Sequence, residues 1–217
     1  RTAITPRTRL LLLCSPHNPV GRVFTREELG ALAQLAEQHD LIICSDEIHC
    51  GLVLDADKRH VPIATLSADI AKRCITLMAP SKTFNVPGLY CSFAVISDTA
   101  LRQRFLKAMQ RIVPHVNMLG YTAALAAYKD GWQWHAALLE YLRGNRDRVA
   151  ALPHVRMAHV EATYLAWIDV RELALERPAK FFEQAGIGLS DGADFGAAGF
   201  VRLNFGCSRQ TLETGLL

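Results

Sequence analysis

Three short, unbroken apolar runs, each ending in a polar turn, dictate the kind of sheet this chain can build. Arg9-Leu-Leu-Leu-Leu-Cys14 runs into Ser15-Pro-His-Asn-Pro-Val-Gly21, and Leu41-Ile-Ile-Cys-Ser45 runs into Asp46-Glu-Ile-His49. Arg73-Cys-Ile-Thr-Leu-Met78 ends the same way, in Ala79-Pro-Ser-Lys82. A strand with one wet face alternates apolar and polar residues. These runs do not, so both faces of their sheet are expected to be covered. Between the first two, Thr25 and Glu28 form a capping box. Leu29, Leu32, Ala33, Leu35 and Ala36 then line one helical face, which ends near Asp40. Strand and helix in this order predict an α/β domain with a mostly parallel sheet, the first three strands pairing in parallel. Ser92-Phe-Ala-Val-Ile96 supplies a fourth strand.

Beyond Ser97 the pattern turns helical. Asp98 caps a helix through Gln110, a second spans residues 116–129, and a third runs from Trp132 to Leu152. That third helix places Leu138, Leu139, Leu142 and Val149 on one side, and Pro153 stops it. A strand over 163–169, a helix over 178–185 and a strand over 200–205 follow. The expected organisation is a large domain over 1–145, including part of the interdomain helix, and a small α+β C-terminal domain over 146–217. The chain opens at Arg1 rather than Met and is almost at once in a buried run, so it reads as the later part of a longer protein.

With 217 residues, half of them apolar and 21% charged, the chain can bury a core without disulfides or metals. Its 24 basic and 21 acidic residues are scattered, for a net charge of +3, so no nucleic-acid stripe is expected. The longest charge-free stretch, Ile112 to Tyr128, carries Pro114, His115 and Asn117, and falls short of the about 20 apolar residues a membrane span requires. No basic segment followed by an apolar one marks a secretory leader, and the six cysteines form no CxxC pair. A cytoplasmic protein with reduced core thiols is the expectation. Cys14 with His17, or His49 with Cys50, completes no four-ligand zinc spacing, so no metal is expected. Gly186-x-Gly188 and Gly192 make no dinucleotide fingerprint.

Ligands of open α/β sheets bind at the carboxyl ends of the strands. Here those ends carry a carboxamide (Asn18), a carboxylate (Asp46) and an amine (Lys82). These groups suit pyridoxal phosphate chemistry. A lysine amine condenses with the cofactor aldehyde, a carboxylate facing the pyridine nitrogen keeps the ring protonated, and an amide or imidazole donates to the phenolic oxygen. Taken one at a time the residues have plainer readings. Lys82 could be a surface lysine, Asp46 an N-cap, Asn18 a turn residue, His49 a structural imidazole and Arg202 an exposed edge charge.

Together with Val201-Arg-Leu-Asn-Phe-Gly-Cys207, the three strand-end segments occur in an order that resembles fold-type I pyridoxal-phosphate enzymes of the class I/II aminotransferase superfamily. The likeness covers essentially the whole chain and is greatest to the MalY/PatB-type cystathionine β-lyase branch. It implies that Asn18 bonds the phenolic oxygen, Asp46 pairs with the ring nitrogen and Ser81 contacts the phosphate. Lys82 would hold the cofactor as a Schiff base and serve as the base at the substrate Cα. Arg202 would clamp the substrate carboxylate. His49 stands where many aminotransferases carry tyrosine, and it points toward the lyase branch. The implied reaction is α,β-elimination of L-cystathionine or another L-cysteine S-conjugate to a thiol, pyruvate and ammonia, by a homodimer. An aminotransferase using the same residues is the alternative, and a non-catalytic fragment or regulatory module is a third reading. One position departs from the pattern: Tyr90 stands where an arginine often binds the phosphate.

Overall fold

The computed structural model describes residues 3–110, 112–153 and 156–216. They form two compact units, neither contiguous in sequence. The first takes the residues up to Ser15, Phe24–Gly51 and Arg59–Trp132; the second takes Pro16–Val23, Leu52–Lys58 and the residues from Gln133 onward.

The first unit follows the expected strand and helix order. It runs β1 (Leu10–Cys14), α1 (Arg26–Gln38), β2 (Ile42–Asp46), α2 (Ala68–Lys72), β3 (Cys74–Met78), α3 (Pro80–Thr83), β4 (Phe93–Val95), α4 (Thr99–Met109) and α5 (Met118–Asp130). The sheet order is β1-β2-β3-β4. The first three strands are parallel and β4 is antiparallel to β3. The capping box forms as expected: Glu28 N donates to Thr25 Oγ1 at 3.2 Å, and Thr25 N donates to Glu28 Oε2 at 2.9 Å. Asp98 and Asn117 cap α4 and α5 by accepting from Leu101 N and Gly120 N.

Leu13, Ile43 and Cys74 pack on Leu29, Ala33 and Ala36 of α1 on one face of this sheet. Ile75, Ile96 and Leu101 centre a cluster on the other, joined by Ile42, Cys44 and Phe105. That second cluster takes nothing from β1, whose Leu12 is 73% exposed. Coverage of both faces therefore holds for β2 and β3 and stops short of β1 among the described residues.

The second unit contains most of α6 (Trp132–Ala150), then β5 (Arg156–Met157), β6 (Leu165–Asp169), α7 (Pro178–Gln184), β7 (Ser190–Asp191), β8 (Phe200–Asn204) and α8 (Arg209–Leu216). Its sheet is antiparallel throughout, in the order β5-β6-β8-β7. β6 starts at Leu165 and not at Thr163, because Thr163 takes φ 75° and turns its hydroxyl to accept from Leu165 N. Leu142 and Val149 of α6 pack on Val160, Ala166, Phe205 and Leu212, with Leu138 and Leu139 against them, as the helical spacing predicts.

Leu52 and Leu54 belong to the same core although they sit early in the chain. Asp55, beside them, accepts from Arg146 Nη1 at 2.6 Å and pairs with His159 Nε2 at 2.7 Å. Burial pushes the Asp55 carboxyl up, but the His159 and Arg146 bonds outweigh it and hold the group below its ordinary value. A carboxyl lowered by folding stabilises the fold above its unfolded value, and the contribution disappears as pH falls through the folded value. In urea unfolding, the stability gap between parent and Asp55→Asn is therefore expected to be full above about pH 5 and to start shrinking only below about pH 4, closing as the pH falls through the folded value. A gap that widens on acidification would refute this assignment.

Candidate active site

Asp46 is the last residue of β2, in register with Cys14 of β1 and Leu77 of β3. Strand alternation sends its neighbours Ser45 and Glu47 into the interior, where they are 0% and 1% exposed, and leaves Asp46 half-buried on the other side. Ile48 N donates to Asp46 Oδ1 at 3.2 Å, and Oδ2 makes no hydrogen bond among the described residues. Asp46 thus does shape a local turn, with half of its accepting capacity left over.

Lys82 sits on α3, a single turn that Pro80 starts just past the end of β3. It is half-buried and makes no hydrogen bond or ion pair among the described residues; the same holds for the Ser81 side chain. The turn is anchored on both sides. A Cβ added to Gly51 would lie 2.6 Å from Thr83 Oγ1, so the loop after β2 touches α3 with no room for a side chain. Phe84, buried, meets the rings of Tyr128 and Trp132 edge-on, with centroids 5.7 and 6.0 Å away. His49, 3% exposed, lies in that loop. The first unit therefore gathers Asp46, His49, Ser81 and Lys82 at the carboxyl edge of two adjacent parallel strands.

Asn18 and Arg202 belong to the second unit, and there they meet. Arg202 Nη1 donates to Asn18 Oδ1 at 2.9 Å, across 184 positions of sequence. Arg202 Nη2 donates to Ser190 Oγ at 3.0 Å, and its guanidinium lies 4.8 Å from the centroid of the Phe195 ring. β8 is flanked by β6 and β7, which rules out the edge-charge reading of Arg202. The Asn18 loop is closed by Gly21, at φ 70°; a Cβ there would approach Val160 Cγ1 to 2.8 Å and Ala162 O to 2.9 Å. Ala162 N bonds Gly21 O, and Val23 N bonds Glu161 Oε2, seating the loop.

Ser190 and Phe195 were not evident from sequence. The signal for them is the register of β7 on β8, which sets Ser190 opposite Arg202, and the glycines at 192, 196 and 199 mark the turn that produces it. Tyr90 is 81% exposed. Burial pushes the Cys50 thiol up to about 11 and the Cys74 thiol up to about 12, which leaves both protonated and poorly nucleophilic at neutral pH.

A family model described as aminotransferase class I and II matches residues 1–216. The chain belongs to this family. It is 39% identical to cystathionine beta-lyase PatB of Bacillus subtilis (strain 168), over 97% of this chain and 57% of PatB. Among solved structures, OvoB superposes with a TM-score of 0.95 at 50% identity, over 99% of this chain and 58% of that one. Cystalysin from Treponema denticola, whose structure contains pyridoxal 5'-phosphate, superposes with a TM-score of 0.90 at 32% identity, over 96% of this chain and 55% of cystalysin. The chain spans little more than half the length of these relatives. Within the class I and II aminotransferases it is closely related to the MalY/PatB branch, and its two sheets match the fold-type I architecture.

Proposed function

We propose that this protein is a pyridoxal-phosphate-dependent carbon-sulfur lyase that eliminates a thiol from L-cystathionine or another L-cysteine S-conjugate. The observation that carries the reading is the half-buried Lys82 amine, with no hydrogen bond or ion pair among the described residues, on the turn after β3, beside the strand that ends in Asp46. The donor set fits the cofactor group by group. Lys82 offers an amine to an aldehyde, Asp46 Oδ2 an acceptor to a ring nitrogen, and Ser81 a hydroxyl to a phosphate. Asn18 is oriented for its part: with Oδ1 engaged by Arg202, its Nδ2 is the end left to donate to a phenolic oxygen.

When bound, the cofactor supplies a protonated ring that draws off the electron pair left at the substrate Cα. The protein does the rest. Arg202 keeps one N–H on each terminal nitrogen beyond those given to Asn18 and Ser190, a fork that matches the substrate carboxylate. Lys82 Nζ removes the Cα proton, and Asp46 holds the proton on the ring nitrogen. The Cβ–S bond then breaks, its electron pair leaves with sulfur, and water completes the conversion of the three-carbon remainder to pyruvate and ammonia. His49, buried in the loop after Asp46, is the residue we associate with elimination in place of amino transfer. Residues 1–145 would form the cofactor domain and 146–217 the small domain of a cytoplasmic homodimer.

The test is an assay of this chain with cystathionine and pyridoxal phosphate, with and without an added keto acid. Pyruvate and free thiol appearing without the keto acid are the expected result. The family's description favours a second reading, amino transfer, and strict dependence on the keto acid would establish it in place of the first. No turnover under either condition would reduce the chain to a non-catalytic module.

A further inference from the structure

Among the described residues, the most deeply buried charged side chain of the first unit is one that the proposed chemistry leaves unused. Glu47, 1% exposed, follows Asp46 directly. Ser45 Oγ donates to its Oε1 at 2.8 Å, and His60 Nε2 lies 2.7 Å from its Oε2. A buried carboxylate is costly unless both oxygens are engaged, and here both are. The geometry is a bracket. Ser45 and Glu47 stand on either side of Asp46 in sequence, on the opposite face of the strand, and their side chains are bonded to each other. The bond fixes the two peptide groups between which the Asp46 Cα lies. His60, from the irregular stretch before residues 63–65, ties the bracket to a second part of the unit. Backbone bonds hold the same segment: Ser15 N donates to Asp46 O and Glu47 N to Leu77 O, both at 3.0 Å.

We propose that Glu47, held by Ser45 and His60, is a positioning residue that sets the direction of the Asp46 carboxylate. It acts through the backbone, since the groups it bonds belong to residues 45 and 60 and not to Asp46 itself. A strand end is where the chain is freest to twist, and a carboxylate that must meet a ring nitrogen tolerates little rotation. The proposal rests on the reading of Asp46 as the partner of that nitrogen.

Two readouts test it. In the cofactor-free chain, three-bond couplings from Asp46 Cγ to its backbone nitrogen and carbonyl carbon report its χ1 rotamer. One rotamer is expected in the parent and in Glu47→Gln, which can still accept from Ser45 and bond His60. Rotamer averaging is expected in Glu47→Ala and in the milder Ser45→Ala, which serves if the first does not fold. Parent couplings retained in Ser45→Ala and in a folded Glu47→Ala would overturn the proposal. The second readout compares affinity for pyridoxal phosphate with affinity for its 1-deaza analogue, in which carbon replaces the ring nitrogen. Glu47→Ala, or Ser45→Ala in its place, is expected to weaken the natural cofactor, by about tenfold for the former, and to leave the analogue unaffected. Equal weakening of both would mean that Glu47 only supports the scaffold, and would overturn the proposal. An Asp46→Ala chain that loses no preference for the natural cofactor would instead refute the role given to Asp46, an outcome the coupling data keep separate.

Discussion

Lys82→Ala is expected to abolish pyruvate formation from cystathionine, with a loss of about 10⁴-fold or more. The visible absorbance that the parent acquires with pyridoxal phosphate should vanish with it. The size of the effect follows from the two jobs given to one amine, holding the cofactor and moving the Cα proton, and no second lysine stands in the described site. The fold should scarcely notice. Lys82 makes no hydrogen bond or ion pair among the described residues, and α3 is anchored by Thr83 and Phe84. A stability change within about 0.5 kcal/mol is expected, as for substitutions that disturb no buried contact. Urea unfolding of both proteins, run beside the assay, separates chemistry from folding. A well-folded Lys82→Ala chain that keeps a tenth of the parent rate would remove Lys82 from the mechanism.

Arg202→Ala is expected to lower kcat/KM by roughly 10²- to 10³-fold, the worth of two charge-assisted hydrogen bonds to a carboxylate. The carboxylate carries the same charge before and after elimination, so most of the loss should appear in KM. Arg202→Lys keeps the charge and loses the fork, and should recover only a small part. Asn18 gives the experiment a second edge. Without Arg202 Nη1 on its Oδ1, the Asn18 amide is no longer held in one orientation, so a smaller fall in kcat should accompany the rise in KM. Ser190→Ala, which removes one of the contacts on the guanidinium, should show the same pattern in weaker form. A cystathionine analogue with the α-carboxylate of its cysteine half converted to an amide provides the control: the parent should discriminate strongly against it and Arg202→Ala hardly at all. Equal discrimination by both proteins would take the carboxylate away from Arg202.

Much of the fold was legible because the local signals agreed with one another. The capping box at Thr25 and Glu28 formed bond for bond, and the unbroken runs that implied parallel pairing became β1, β2 and β3. What escaped was set by distance or brevity. β5 and β7 are two residues each, too short to show a period, and α3 is a single turn inside a Pro-Ser-Lys-Thr segment that reads equally well as a loop. Residues 16–23 and 52–58 look like connections between strands of the first sheet. They belong to the second unit because Leu52, Leu54 and Gly21 find their packing against Val160 and its neighbours. The Glu47–His60 pair was invisible for a related reason, since its partners stand 13 positions apart in a stretch without periodicity.

The second unit is assembled from three separated stretches, and this bears on the order in which the protein comes off the ribosome. Residues 16–23 are made well before the groups that seat them: Val23 waits for a partner 138 positions downstream and Asn18 for one 184 positions downstream. At about 5–20 residues per second that interval is on the order of tens of seconds. Throughout it the first parallel strands can pair while the Asn18 loop hangs from them without its seat. β8 must be made before the loop can settle, so a nascent chain stalled short of β8 would carry a formed Lys82 turn and an unformed Asn18–Arg202 contact.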